Sequence, residues 1–296
     1  MVLSKYQLTP PLMTIFELMK LIQTKETAIK IFQRIRWQNG ILCPRCGAYE
    51  SVEKHSKNGL GFQKYRCICG HIFSDTSGTV LHKRRIDIGH FFIALYELSQ
   101  TKGITSVELG KRLGIRQKKA WTILTLLRGQ CRELIKPYYE LMMRGVVETD
   151  EAYYGKGKNS QMFQGILQRG QHAIVIPIQD RTEKTLKGNI KRHVQKHSYV
   201  MTDTASAYGS LCCSGYTHFT LNHSEEEYSK GDGIHENTQE GFWGNQKKIL
   251  YGIHHGVSKK YLFNYVSEFV LKYNLRQAKF TFPTFLNLFI NPPLTC

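Results

Sequence analysis

Three acidic residues stand close together in V-V-E-T-D-E-A-Y (residues 146–153), a stretch that otherwise has the composition of a β-strand. Two valines and a threonine lead into Glu148, Asp150 and Glu151, and glycines follow as a turn. A strand that ends in a carboxylate presents oxygen ligands, which Mg²⁺ and Mn²⁺ prefer. We therefore predict that Asp150 is the first ligand of a divalent-metal site. The alternative is a buried strand edge whose acids are only solvated.

Four cysteines form a second candidate metal site. Cys43 and Cys46 lie in C-P-x-C-G, Cys67 and Cys69 lie in C-x-C-G-H, and twenty residues separate the two pairs. Thiolates at this spacing suit tetrahedral Zn²⁺, and zinc binding would stabilise a segment that is too small for its own core. The sequence predicts a zinc ribbon. Because the second pair is shorter than C-x-x-C, His71 stays open as a substitute ligand.

The charge of the chain indicates a polyanionic partner. The 296 residues include 41 Lys and Arg against 23 Asp and Glu, for a formal net charge of +18, which is typical of nucleic-acid-binding proteins. No stretch approaches the about 18 consecutive apolar residues of a membrane span, and the amino terminus lacks the apolar core of a signal peptide. We expect a cytoplasmic, nucleoid-associated protein without a membrane partner, whose eight cysteines are thiols or metal ligands.

Residues 104–128 show helical spacing on both sides of a turn at Gly114. Leu109 and Leu113 on the first helix are expected to face three residues of the second, namely Trp121, Leu124 and Leu127. Plain packing would also produce such a helix pair, but a helix-turn-helix presents its recognition residues at the turn and at the start of the second helix. Four basic residues that we predict to bind DNA crowd this place: Arg112, Arg116, Lys118 and Lys119.

The pattern changes from helices to strands at residue 146. Three strand-like segments precede a helical segment near residues 182–196, and S-Y-V-M-T-D then forms a fourth strand that ends at Asp203. Three antiparallel strands, a crossover helix and a parallel fourth strand are the order of an RNase H-like core, in which the first and fourth strands are neighbours. This order predicts an α/β fold with Asp150 and Asp203 at one end of the sheet.

A third carboxylate is expected on a helix after the sheet. Asn237, Glu240 and Lys247 share one helical face, whereas the competing acid Glu236 lies off that face. Glu240 would complete a two-metal site, and Lys247 would reach a DNA phosphate. Further cations suited to phosphates follow at Lys248, His254, His255, Lys259 and Lys260.

These segments together resemble the DDE insertion-sequence transposases with an amino-terminal zinc ribbon, the ISXO-type group. The matching stretches are collinear over nearly the whole chain. They are R-W-x-x-G-x-x-C-P-x-C-G (36–47), F-S-x-x-S-G-T (73–79), E-x-D-E-x-Y (148–153), T-D-x-x-x-x-Y (202–208), N-H-S-x-x-E-Y (222–228), H-x-N-T-x-E-x-F-W-x-x-x-K (235–247), G-x-x-H-x-V-S (252–258) and E-F-x-x-x-Y-N-x-R (268–276). The departures are the contracted second cysteine pair and an additional pair, Cys212 and Cys213.

The resemblance implies Asp150, Asp203 and Glu240 as catalytic metal ligands, with Asn237 as an alternative third ligand and Lys247 as an auxiliary residue. It implies Mg²⁺ or Mn²⁺ at the catalytic site and Zn²⁺ in the ribbon. Double-stranded DNA, both the terminal inverted repeats of the element and the target, would be the partner of a homodimer or larger assembly. The implied chemistry is phosphodiester hydrolysis followed by strand transfer.

Two other functions stay open: a non-catalytic zinc-ribbon and helix-turn-helix regulator, and an RNase H-like nuclease or resolvase. The sequence also predicts an order of domains. It consists of a helical segment (1–37), the zinc ribbon (38–80), the helix-turn-helix region (81–143), the RNase H-like DDE catalytic domain (144–278) and a tail (279–296).

Overall fold

The structure, a computed structural model, describes residues 13–49, 51–155, 160–203, 206–221, 237–276 and 282–292. Its contacts divide the chain into a first unit, Met1–Gln130 with Lys279–Cys296, and a second unit, Cys131–Ala278. The stretch at 222–228 and the competing acid Glu236 lie outside the described residues. In the described part of the chain, no helix is both long and apolar enough to cross a membrane.

The described helices and strands alternate in blocks along the chain. The helices are α1 (Ile15–Leu21), α2 (Lys25–Arg36), α3 (Ile88–Ser99), α4 (Ser106–Leu113), α5 (Gln117–Leu134), α6 (Glu183–His193), α7 (Asn237–Gly252), α8 (Lys259–Leu275) and α9 (Phe282–Ile290). The strands are β1 (Val52–Lys57), β2 (Gln63–Cys67), β3 (Ile72–Ser74), β4 (Val146–Tyr154), β5 (Gln161–Gln168), β6 (Ala173–Ile178), β7 (Tyr199–Asp203) and β8 (Thr217–Leu221).

In the first unit, a buried carboxylate joins α2 to the ribbon sheet, whose strand order is β1-β2-β3. Asp75 is fully buried. Its carboxylate accepts hydrogen bonds from the side chains of Gln33, Trp37 and Tyr65 and from the backbone N–H of Gln63, at 2.7–2.9 Å. A buried charge is stable only when it is well hydrogen-bonded, so these four donors fix the position of α2 against β2.

The predicted helix pair with a turn at Gly114 is confirmed. Gly114 has φ 62° and ends α4 in the left-handed conformation that glycine adopts at low cost. Leu109 on α4 is fully buried, but Trp121, which was expected to face it, is 37% exposed. Leu124 and Leu127 lie on the buried face of α5 as predicted, together with Ala120, so Trp121 was the residue wrongly placed on that face.

The second unit contains a five-stranded sheet in the order β6-β5-β4-β7-β8. β4, β5 and β6 pair antiparallel, whereas β7 pairs parallel with both β4 and β8. α6 connects β6 to β7 and buries Leu186 and Ile190 in a core cluster that also contains Val147 on β4. The RNase H-like arrangement predicted from the order of the elements is therefore confirmed, with β8 as an additional parallel strand.

Candidate metal and DNA-processing site

Two carboxylates lie at corresponding positions on the adjacent strands β4 and β7. The two strands pair in parallel as far as Glu148 and Met201, and Asp150 and Asp203 each follow two residues later. Because side chains alternate along a strand, both carboxylates lie on the face that also bears Glu148. The sheet thus brings Asp150 and Asp203 together, as the sequence predicted.

The electrostatics of Asp150 support this proximity. Burial raises the pKa of Asp150 to about 6, the nearby Glu151 and Asp203 carboxylates act in the same direction, and the ammonium of Lys247 on α7 acts against them. A carboxylate with a raised pKa beside two other acids is in an environment that a bound cation would stabilise. The structure therefore groups Asp150, Asp203 and Lys247.

Glu148 anchors the first turn of α7 to the sheet. Its side chain is fully buried, and it accepts one hydrogen bond from Arg169 Nε and one from the backbone N–H of Gln239, both at 2.8 Å. Free N–H groups at the start of a helix favour a negative charge. Glu148 was recognisable in the sequence as a member of the acidic cluster, but its contacts with Arg169 and α7 were not. The available signal was its two-residue spacing from Asp150, which puts both side chains on one face.

The third predicted ligand, Glu240, does not form a compact metal-binding group with Asp150 and Asp203. Glu240 lies in the first turn of α7 and is exposed. Among the described residues, only the four ribbon cysteines form a group of three or more His, Cys, Asp or Glu side chains that could hold one metal ion. The structure thus does not gather Glu240 with Asp150 and Asp203. Asn237 opens α7, and its side chain lies outside the described atoms.

A cation contacts the same end of the sheet from the segment between β6 and α6. Arg181 Nε donates to Glu151 Oε2 at 2.6 Å, and its Nη2 lies 3.8 Å from Asp203 Oδ2. The hydroxyl of Tyr208 donates to the other oxygen of Glu151, and burial raises the pKa of this tyrosine. Glu151 is therefore held by Arg181 and Tyr208. The family motif contained Tyr208, but nothing in the sequence indicated Arg181.

The four ribbon cysteines have the geometry of a zinc site. Their Sγ atoms all lie within 4.8 Å of one another, with Cys43 and Cys69 3.8 Å apart and Cys46 and Cys67 3.6 Å apart. Tetrahedral zinc with Zn–S distances of about 2.3 Å keeps its sulfurs about 3.8 Å apart. The contracted second pair therefore fits the ion. His71, the suggested substitute, is not in the cysteine group and stacks on Phe73.

The residues predicted to bind DNA differ in their surroundings. In the first unit, Arg112 is ion-paired with Glu97 and Glu108, whereas three other cations are exposed at the start of α5, namely Arg116, Lys118 and Lys119. In the second unit, Lys248 and Lys259 are exposed. The His254 ring packs edge-on against Tyr265, and Lys260 lies over Tyr261. These two side chains therefore have aromatic partners within the protein.

The strand order of the second unit, with Asp150 on β4 and Asp203 at the end of β7, defines a protein of the RNase H-like class. Residues 142–274 match the ISXO2-like transposase domain. A protein in transposable element ISH50 of Halobacterium salinarum is 28% identical over 281 residues, which cover 86% of this chain and 92% of the relative. Both matches confirm the resemblance to insertion-sequence transposases noted in the sequence.

Two solved structures are similar to part of the chain. The HTLV-2 integrase catalytic core domain, in complex with magnesium, is 14% identical with a TM-score of 0.29 and covers 44% of this chain and 84% of that chain. The simian T-cell lymphotropic virus intasome, in complex with PP2A regulatory subunit B56 gamma, is 10% identical with a TM-score of 0.28 and covers 44% of this chain and 48% of that chain. At these TM-scores, the fold class rests on the strand order and connections of the second unit.

Proposed function

We propose that the protein is a transposase that binds the ends of its insertion sequence and catalyses metal-dependent cleavage and strand transfer on DNA. The observation that carries the proposal is the proximity of Asp150 and Asp203 on adjacent parallel strands, with Lys247 near enough to oppose the rise in the pKa of Asp150. The match of residues 142–274 to a transposase domain and the similarity to a protein of a transposable element support DNA as the substrate.

The donor chemistry fits a hard divalent cation. Carboxylate oxygens are the ligands that Mg²⁺ and Mn²⁺ prefer, and the mutual repulsion of neighbouring acids is what a cation would relieve. Asp150 and Asp203 would hold the ion, with Glu240 or Asn237 as the third ligand. When bound, the metal would activate a water or a DNA 3′-hydroxyl and stabilise the leaving oxygen. Zn²⁺ would be held separately by the four ribbon cysteines.

The protein's own side chains orient the substrate around these acids. Lys247 would contact a DNA phosphate and offset part of the repulsion between the phosphate and the carboxylates. Glu148 and Arg169 hold α7 on the sheet, which keeps Lys247 close to Asp150. Arg181 is ion-paired with Glu151 and lies beside Asp203, so one cation offsets part of the charge of both acids. The net charge of +18 attracts DNA to this acidic end of the sheet.

The test is incubation of the purified protein with DNA carrying the ends of its element, in Mg²⁺ or Mn²⁺, beside the Asp203→Asn variant. We expect nicking at the element end and joining to a target, both abolished in Asp203→Asn, while DNA binding survives. Glu140→Gln is the matched control, because it removes one exposed carboxylate charge ahead of β4. It should retain activity.

Each other outcome contradicts a part of the proposal. Loss of DNA binding in a folded Asp203→Asn protein would contradict the separation of binding from catalysis. Tight DNA binding without metal-dependent cutting would favour the non-catalytic regulator. Cutting without joining would favour the nuclease or resolvase.

A further inference from the structure

An open groove with a volume of about 620 Å³ lies between α2 and the ribbon sheet, within the first unit. We refer to it as the α2–ribbon groove. One acidic residue, Glu26, is among its lining residues. Five exposed cations line it from both sides: Lys25, Lys30 and Arg34 on α2, and Lys54 and Lys57 on β1.

The inner surface of the groove is held in place by a buried group. Gln33, Trp37, Gln63 and Tyr65 all line the groove, and each donates a hydrogen bond to the buried carboxylate of Asp75. Both walls are thus joined by one set of bonds beneath the inner surface. The groove is preformed, so a ligand would not need to order it on binding.

The cations of the groove have no acidic partners in the described chain. Within it, none of the five lies within 4.0 Å of a carboxylate oxygen. Lys30 and Arg34 are four residues apart on one helix, a spacing at which like charges repel. Lys54 and Lys57 add like charge from the opposite wall. An elongated anion between the walls would relieve this repulsion.

We propose that the α2–ribbon groove binds the phosphodiester backbone of a DNA strand, as a contact separate from the helix-turn-helix. This inference rests on the proposed function, because the polyanion that a transposase binds is DNA. Cations on the walls would contact phosphate oxygens, while Trp37 and Tyr65 would lie beneath the sugars. Phosphate contacts carry no direct sequence information, so the groove contributes affinity and register and not base preference.

The test measures the salt dependence of DNA binding by the full chain. The groove variant is Lys30→Gln/Arg34→Gln/Lys54→Gln, and the control variant is Lys184→Gln/Lys191→Gln/Arg192→Gln, which changes exposed cations of α6. Each removes three positive charges, from +18 to +15. Each neutralised phosphate contributes about 0.9 to the slope of log K against log salt. We expect the slope of the groove variant to fall by about 2–3 on every sequence, and that of the control to stay near the wild-type value.

A second measurement uses the wild-type protein, so that it does not depend on the folding of a variant. DNA should protect Lys30 and Lys54 from acetylation and leave Lys184 and Lys191 reactive. Equal slopes for the groove and control variants, or unprotected groove lysines in a protein that binds DNA, would overturn the inference and leave the proposed function intact. A wild-type protein that shows no salt-dependent DNA binding would instead overturn the proposed function.

Discussion

Gly165 on β5 sets how closely α7 lies against the sheet. It is paired with Asp150 across β4 and β5, so a side chain at this position would lie on the face of the Asp150 carboxylate. A Cβ atom there would be 2.3 Å from Gln239 Nε2 and 2.6 Å from Trp243 Cζ2. We therefore expect Gly165→Ala to push α7, and with it Lys247, away from the sheet.

The size of this effect follows from the contact with Trp243. Carbon atoms approach favourably to about 3.5 Å, so the indole must retreat by about 1 Å. Trp243 is 4% exposed and packs edge-on against Tyr154 and Phe242, so it cannot rotate away freely. Overpacking of this kind costs about 1–3 kcal/mol, and each kcal/mol lowers the Tm of a domain of about 150 residues by about 2–4 °C. A displacement of about 1 Å can lower a catalytic rate about 100-fold.

Thermal unfolding and the rate of nicking at an element end measure the two effects of Gly165→Ala. Gly188→Ala is the control. This position lies in α6, and a Cβ added to it would have no neighbouring atom within 4 Å. The change should stabilise the protein by about 0.5–1 kcal/mol, because alanine favours a helix more than glycine does. Adding Trp243→Phe to Gly165→Ala removes the atom in conflict and should restore part of the Tm and of the rate. Wild-type values for Gly165→Ala alone would refute the close approach of α7 to β5.

Two further predictions concern the buried carboxylate and the cysteines. Glu148→Gln keeps the shape of the side chain but removes the charge that faces Arg169. Breaking a fully buried ion pair lowers the free energy of unfolding by about 3–5 kcal/mol. Because Arg169 is 22% exposed, we expect a smaller decrease of about 2–3 kcal/mol. Urea unfolding measures this loss, and an unchanged midpoint would contradict it. Cys43→Ser should abolish the binding of one zinc ion per chain and lower the Tm. The control Cys212→Ser/Cys213→Ser changes two exposed cysteines and should do neither. Metal analysis that finds full zinc in Cys43→Ser would disprove a four-thiolate site.

The proximity of Asp150 and Asp203 was predictable because the order of strands and helices restricts the topology. A crossover helix between two strands of one sheet makes them parallel, and the pattern places one acid on each of the two neighbouring strands. The expectation that Asp150 ends its strand was wrong, because β4 continues to Tyr154. β8 was not predicted, since T-H-F-T-L is short and mixes polar with apolar residues. Arg181 was also beyond sequence reasoning, because its contacts with Glu151 and Asp203 depend on the path of the segment between β6 and α6.

Glu148 and Asp150 have different surroundings, and the sequence alone does not show this difference. Both carboxylates lie on one face of β4, and the alternation of side chains along a strand does not distinguish between them. What separates them is where α7 begins: its first turn covers Glu148 and supplies the N–H of Gln239, whereas Asp150 stays half-buried near Lys247. That difference is set by tertiary contacts such as the close approach at Gly165, which a single sequence does not reveal.

Each unit contains a fully buried carboxylate that fixes a helix against a strand. Asp75 joins α2 to β2 through four donors, whereas Glu148 on β4 accepts one hydrogen bond from α7 and a second from Arg169. A buried charge is tolerated only with its full set of partners, so each carboxylate allows little freedom to the elements that it joins. Because three groove cations lie on α2 and Lys247 lies on α7, a change at Asp75 or Glu148 would also displace cations that neither carboxylate contacts. Changes to the exposed cations would weaken the binding of phosphate and leave the fold intact.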